Sequence, residues 1–127
     1  MRRFCFDSSF WMEYFSASKL GANAKSLLAS SSEFFTPSIV LAEVGALAAR
    51  NNLDAEAQYE IIKSQSTILP LTMPIAMQAG REKARRQLYL VDAVVYATAQ
   101  AAAAVLVSED QKLLPLKDVV SLRALPR

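Results

Sequence analysis

The sequence predicts an α/β fold: a central, mostly parallel sheet of four to five short strands flanked by helices. Three observations predict it. Short apolar runs without a two-residue alternation recur along the chain, as strands buried on both faces require. Segments with apolar residues at helical spacing separate them. No linker, low-complexity stretch or repeat interrupts the 127 residues, of which 53% are hydrophobic and 20% charged. A single domain over 1–127 with a substantial core is therefore expected.

The elements follow in order. Residues 2–6 form a buried strand, and 8–15 a helix with Phe10, Trp11, Tyr14 and Phe15 at helical spacing. A second short helix is expected over 23–30 and a second strand over 33–36. Thr36-Pro37 reads as a helix start, with threonine as the N-cap and proline at the first helical position. That helix runs to about Arg50, where Asn51-Asn52 ends it; Asp54 caps the next, which reaches about Lys63. A third strand is expected over 67–71, β-branched at its start, and a helix with a charged face over 73–87. An almost uncharged helix over 91–103 precedes a short strand over 105–108, and 119–122 supplies a possible fifth. The first seven residues do not read as a signal peptide, because their apolar stretch ends at Asp7. The longest uncharged runs, 64–80 and 93–108, fall short of a membrane helix. A soluble cytoplasmic protein is expected.

The composition removes whole classes of chemistry. With no histidine, Ser-His-Asp and Cys-His catalysis and most zinc sites are excluded. Cys5 is the one cysteine, so no intrachain disulfide or cysteine-built cluster can form. The three glycines, Gly21, Gly45 and Gly80, make neither GxGxxG nor GxxxxGK[ST]. Carboxylates, hydroxyls, lysine, arginine and a hard metal ion remain.

Ligands of a parallel sheet bind outside the carboxyl ends of its strands. Four carboxylates stand in unusually apolar company, and three of them fall at strand ends or helix starts. Asp7 directly follows the first strand and could equally be a helix N-cap. Glu43 sits mid-stripe among Ile39, Val40, Val44 and Leu47, a costly place for a charge unless it is paired or metal-bound. Asp92 opens the most apolar helix, as site residue or as cap; no Glu or Gln at Val95 completes a capping box. Asp110 follows the 105–108 strand, where an acidic turn with Glu109 is the plain alternative. Four converging carboxylates would repel, and some of their pKa values would rise. A hard cation relieves that repulsion, and oxygen-only ligands suit Mg²⁺ or Mn²⁺.

Read together, Phe4-Cys5-Phe6-Asp7-Ser8-Ser9-Phe10-Trp11, Leu41-Ala42-Glu43-Val44, Leu90-Val91-Asp92-Ala93-Val94-Val95-Tyr96-Ala97-Thr98-Ala99 and Leu106-Val107-Ser108-Glu109-Asp110 resemble the PIN-domain ribonucleases. The resemblance is strongest to the VapC-type toxins of toxin–antitoxin pairs and covers nearly the whole chain. It implies a three-layer fold and a metal-dependent endoribonuclease. Asp7, Glu43, Asp92 and Asp110 would match the four acids that hold Mg²⁺ or Mn²⁺. Ser108 would orient a carboxylate or a bound water; its plain alternative is a strand-end hydroxyl. A metal lowers the pKa of its water and supplies a nucleophile near neutral pH. In-line attack on the phosphodiester would leave 5′-phosphate and 3′-hydroxyl ends, as in the family. The family more often has an aromatic residue near Leu113, and Glu109 adds a carboxylate without an assigned part. An RNA substrate, an antitoxin protein and a homodimer, built on the apolar surface of the 37–50 and 54–63 helices, are the partners so implied.

Charge distribution agrees with an anionic substrate. The chain carries a formal net charge of +2; setting the four acids aside leaves eight of its 12 acidic residues against 14 basic ones, a surplus of six. Arg81, Lys83, Arg85 and Arg86 cluster before Asp92, either to steer RNA by its backbone or as a solvated helix face with Glu82. Trp11, Phe15 and Tyr96 are expected in the core, Cys5 as an inert buried thiol, and Gln100 as buried polar packing. Other classes fit less well. A phosphorylatable receiver needs paired acids after its first strand, and a haloacid-dehalogenase-type phosphatase needs Asp-x-Asp; Asp7-Ser8-Ser9 supplies neither. A stand-alone RNA-processing nuclease and a non-catalytic binding module are the remaining alternatives.

Overall fold

The computed structural model describes residues 1–125; the last two positions of the expected domain lie outside the described residues. The chain runs β1 (Arg2–Phe6), α1 (Ser8–Phe15), α2 (Lys19–Leu28), β2 (Ser32–Pro37), α3 (Ser38–Arg50), α4 (Ala55–Gln65), β3 (Thr67–Leu69), α5 (Met73–Arg86), α6 (Leu90–Ala101), β4 (Val105–Val107) and β5 (Val119–Val120), closing on a 3₁₀ turn at Leu122–Ala124. The five strands form one sheet in the order β3-β2-β1-β4-β5, and every pairing is parallel. Among the described residues, six α-helices flank it. No described helix is long and apolar enough to cross a membrane.

The strand order fixes where a site can form. From β1 the chain first adds β2 and β3 on one side, then returns to add β4 and β5 on the other. The switch in direction lies between β1 and β4, and open parallel sheets leave a crevice at that point beyond the carboxyl ends of the strands. The two central strands are apolar throughout their buried ends: Phe4, Cys5, Phe6, Leu106 and Val107 are all inaccessible to solvent. The Phe6 ring lies parallel to Phe10, with centroids 3.7 Å apart, and Trp11 meets both edge-on. Trp11 is thus core, and Phe15 packs against it half-buried. Strand β1 is thereby tied to α1, whose first turn carries the residues that follow Asp7.

Several boundaries differ from the sequence reading, for identifiable reasons. Helix α2 starts at Lys19, earlier than residue 23, because the Ser18 hydroxyl caps it by accepting from the Gly21 N–H at 2.9 Å. Thr36 does not cap α3. Its hydroxyl accepts from the Trp11 indole at 3.2 Å and lies 2.8 Å from the Ser66 hydroxyl, because a buried indole N–H needs a partner. Pro37 stays in β2, paired with Leu69, and α3 begins at Ser38 without a side-chain cap. Strand β3 ends at Leu69, short of residue 71. Helix α6 spans Leu90–Ala101 and stops before Ala103, whose φ of 51° is left-handed. Asp54 caps α4 through the Ala57 N–H, as expected.

Two glycines give opposite expectations from their surroundings. A Cβ at Gly21 would meet the Glu13 carbonyl oxygen at 2.3 Å, a backbone atom of α1 that cannot step aside. A Cβ at Gly80, exposed on α5, meets nothing within 4 Å. Gly21→Ala is expected to lower unfolding stability by about 1–3 kcal/mol. Gly80→Ala is expected to raise it by about 0.5–1 kcal/mol, because alanine favours the helix and restricts the unfolded chain. Urea unfolding of the two variants checks both signs.

Candidate active site

The switch point brings the end of β1 against the end of β4. Asp7 is the first residue after β1 and Ser108 the first after β4. Both are buried, Asp7 at 6% exposure and Ser108 at 0%. The Ser108 hydroxyl donates to Asp7 Oδ2 in a short hydrogen bond. Asp7 Oδ1 accepts from the Ser9 hydroxyl at 2.5 Å and from the Phe10 N–H at 3.2 Å. Asp7 is therefore the N-cap of α1 and at the same time lies against Ser108 at the sheet's switch point. The same serines carry the contact onward. Ser108 Oγ accepts from the Asp110 N–H at 3.0 Å, and Ser9 Oγ accepts from the Glu109 N–H at 2.9 Å. The β4 turn is thus clamped to the first turn of α1, and Asp110 is held beside Asp7. The Lys112 N–H in turn donates to Asp110 Oδ1 at 2.8 Å.

Glu43 and Asp92 reach the same crevice from helices. Glu43 lies half-buried in the second turn of α3, and Asp92 half-buried in the first turn of α6. The cap of α6 is Tyr89, so the alternative of Asp92 as N-cap does not hold. Electrostatics ties all four acids together. Burial pushes the Asp7 carboxyl up to about 6, against the opposing hydrogen bonds of Ser108, Ser9 and Phe10, and Asp110 adds to the rise. Burial raises Glu43 as well; the Ser8 hydroxyl opposes this, while the charges of Asp7, Asp92 and Asp110 reinforce it. Burial and then Asp110 raise Asp92, with Lys112 opposing. Among the described residues, none of the four acids enters a salt bridge.

Oxygen-only, mutually repelling carboxylates without a salt-bridge partner among the described residues fit a hard divalent cation in their chemistry. Among the described residues, no three acids or thiols close into a ready-made metal cage. The set is spread, which suits an ion that keeps several of its own waters and takes only one or two carboxylates directly.

The remaining expected residues separate. Glu109 turns away from the crevice: its carboxylate accepts from the Ser121 hydroxyl at 2.6 Å and the Leu122 N–H at 2.8 Å, which anchors the final 3₁₀ turn. On α5 the basic cluster is engaged with its own helix and the turn that follows it. Arg85 and Arg86 hold Glu82 at 3.0 and 2.6 Å, Arg81 donates to Gln78 at 2.9 Å, and Lys83 to the Leu88 carbonyl at 3.3 Å. Burial alone would raise the Glu82 carboxyl, but the two arginines outweigh it and hold it below the usual range. Tyr96 is core, with its hydroxyl donating to the Lys117 carbonyl at 3.0 Å. Cys5 is buried, and desolvation pushes its thiol far up, which leaves it unreactive. Gln100 is exposed, not buried packing, because it lies on the solvent side of α6. Sequence reasoning passed over Ser8, Ser9 and Lys112. Two serines directly after a site aspartate, and a lysine two residues beyond another, were the available signals.

Residues 4–119 match the model of the PIN domain. The chain belongs to the PIN domain family. No curated protein matches it. Solved structures similar to this PIN domain include a toxin–antitoxin complex from Klebsiella pneumoniae, at 23% identity and a TM-score of 0.78 over 93% of this chain and 96% of that one. VapBC2 from Rickettsia felis, bound to a DNA fragment from its promoter, is similar at 15% identity and a TM-score of 0.74 over 94% and 96%. VapC20 from Mycobacterium tuberculosis, described as a toxin that cleaves the sarcin-ricin loop, is similar at 24% identity and 0.67 over 80% and 85%. At these identities the likeness establishes a common fold, and activity has to be argued from this chain's own residues.

Proposed function

We propose that this PIN domain is a Mg²⁺- or Mn²⁺-dependent endoribonuclease and the toxin component of a VapBC-type toxin–antitoxin pair. The observation that carries the nuclease reading is the group of four carboxylates, Asp7, Glu43, Asp92 and Asp110: burial, reinforced by neighbouring carboxylate charge, raises the first three, and among the described residues none of the four has a salt-bridge partner. A bound divalent cation would supply Lewis acidity, lowering the pKa of a coordinated water and offsetting charge on the phosphate. The protein's part is placement. Ser108 and Ser9 fix the Asp7 carboxylate with both oxygens engaged, so that its orientation is set before any ligand arrives. Ser108 also fixes the backbone that carries Asp110. Glu43 and Asp92, half-buried on α3 and α6, complete the oxygen donors and remain partly open to solvent. With no histidine in the chain, proton transfer falls to water and to these carboxylates.

The toxin reading rests on the fold shared with the Klebsiella, Rickettsia and Mycobacterium proteins and on the intact acids. An antitoxin protein is the partner it requires, in the cytoplasm. A homodimer is the expected assembly, with Leu53 and Ile61 exposed beside α3 and along α4 as apolar surface available to it.

Purified protein, checked by mass for a retained partner, is to be incubated with single-stranded and structured RNA in Mn²⁺, Mg²⁺ or EDTA. Metal-dependent cleavage leaving 5′-phosphate ends is expected. Partner-free protein that cuts no RNA in either metal contradicts the proposal and leaves the non-catalytic module.

A further inference from the structure

An exposed aromatic residue stands at the rim of the acid cluster with no apolar cover. The turn between α5 and α6 passes through Gln87 in the left-handed region, at φ 55°, and is pinned by buried Leu88. Tyr89 then caps α6 in extended conformation, and its side chain makes no capping bond. It is 68% exposed, and Leu90 beside it is 59% exposed. Asp92 follows one helical turn on. From the other side of the crevice comes Lys112, whose backbone N–H holds Asp110. Its ammonium lies 4.0 Å from the centre of the Tyr89 ring and, among the described residues, enters no salt bridge. A strongly hydrated cation, near enough to Asp92 to act on its charge, is thus held over an aromatic face.

We propose that Tyr89 and Lys112 form a one-nucleotide subsite, in which an unpaired base stacks on the exposed Tyr89 ring and the Lys112 ammonium takes a phosphate of the same strand beside the acids. This inference rests on the nuclease reading. Single-stranded nucleic acid is held by aromatic faces together with cations that follow the backbone, and both parts are here within one residue's reach. The acids themselves repel a polyanion, so a positive charge at their rim is needed to seat the strand. A peptide arm would gain from Tyr89 and Leu90 but gives Lys112 no regular anion; a nucleotide supplies a π face and a phosphate at each step. The subsite tolerates any base, because every base has a face to stack.

The test uses the full chain in EDTA. Anisotropy compares a short, random-sequence single-stranded RNA with an abasic ribose-phosphate strand of the same length. The wild type is expected to prefer the RNA by about fivefold to a hundredfold. Tyr89→Phe retains that preference; Tyr89→Leu loses it while binding the abasic strand unchanged. Lys112→Met weakens both strands alike and lowers the salt-dependence slope by about 0.7, the share of one single-strand phosphate. In Mn²⁺, Tyr89→Leu raises KM for RNA with little change in kcat. A preference that survives Tyr89→Leu overturns the subsite, as does an equal loss for both strands. If RNA is still cut in Mn²⁺ in that case, the nuclease reading stands and the exposed face belongs to a protein partner. Wild-type protein that neither binds nor cuts RNA overturns both.

Discussion

Asp92→Asn protein is expected to fold normally and to cut RNA at least about a hundredfold more slowly than the wild type at saturating Mn²⁺, the order of loss seen when one charge-stabilising group is removed from an active site. The reasoning is local. Asp92 is half-buried on α6, its carboxyl raised by burial and by Asp110, and it is not the cap of its helix. Asparagine keeps its size and removes a repelling charge, so unfolding stability is expected to stay level or rise. Glu43→Gln follows the same logic on α3. Urea unfolding alongside single-turnover cleavage separates the two quantities. Cleavage retained in Glu43→Gln would remove that residue from the ligand set.

The second large effect concerns pH and metal together. Asp7 ionises near 3.8 in an unfolded chain and at about 6 in the folded one. Between these values the folded state binds a proton that the unfolded state has released. The stability so gained is present toward the acid side and is lost as pH rises through about 6. The span is worth about 3 kcal/mol, and raised Glu43 and Asp92 act in the same direction. In EDTA the chain is therefore expected to be more stable near pH 5 than near pH 8. Asp7→Asn abolishes most of that slope, because asparagine keeps the cap on the Phe10 N–H without burying a charge. Added Mn²⁺ restores wild-type stability at the higher pH and does little for Asp7→Asn. Chemical denaturation at the two pH values, with and without Mn²⁺, checks all four outcomes. A site that costs stability until it is filled is the usual signature of function built against folding.

How far these properties were legible depended on the residue. The strands β1 and β4 were readable because parallel strands buried on both faces have no polar positions, and Phe4-Cys5-Phe6 and Val105-Leu106-Val107 have none. Once the sheet was parallel, the acids after those strands had to lie at one edge. The β3-β2-β1-β4-β5 order, which makes Asp7 and Ser108 neighbours, is a long-range fact that no local pattern carries. Thr36 was misplaced because Thr-Pro is a genuine start signal locally; the buried indole of Trp11, 25 residues away, outcompeted it. The basic run on α5 looked like a single feature, yet Glu82 takes up two of its four charges, an i,i+3 and i,i+4 arrangement visible in the sequence but undecided there. Glu109 could not be assigned because its partners, Ser121 and Leu122, are distant in the chain.

The central claim is that Asp7, Glu43, Asp92 and Asp110 act as one cation site. Calorimetric titration of the partner-free chain with Mn²⁺ at pH 6 tests it most directly. Saturable binding is predicted, with proton release to the buffer as Asp7 gives up its proton, and with affinity falling at least about tenfold in Asp92→Asn. No saturable binding, or binding that Asp92→Asn leaves unchanged, would contradict it.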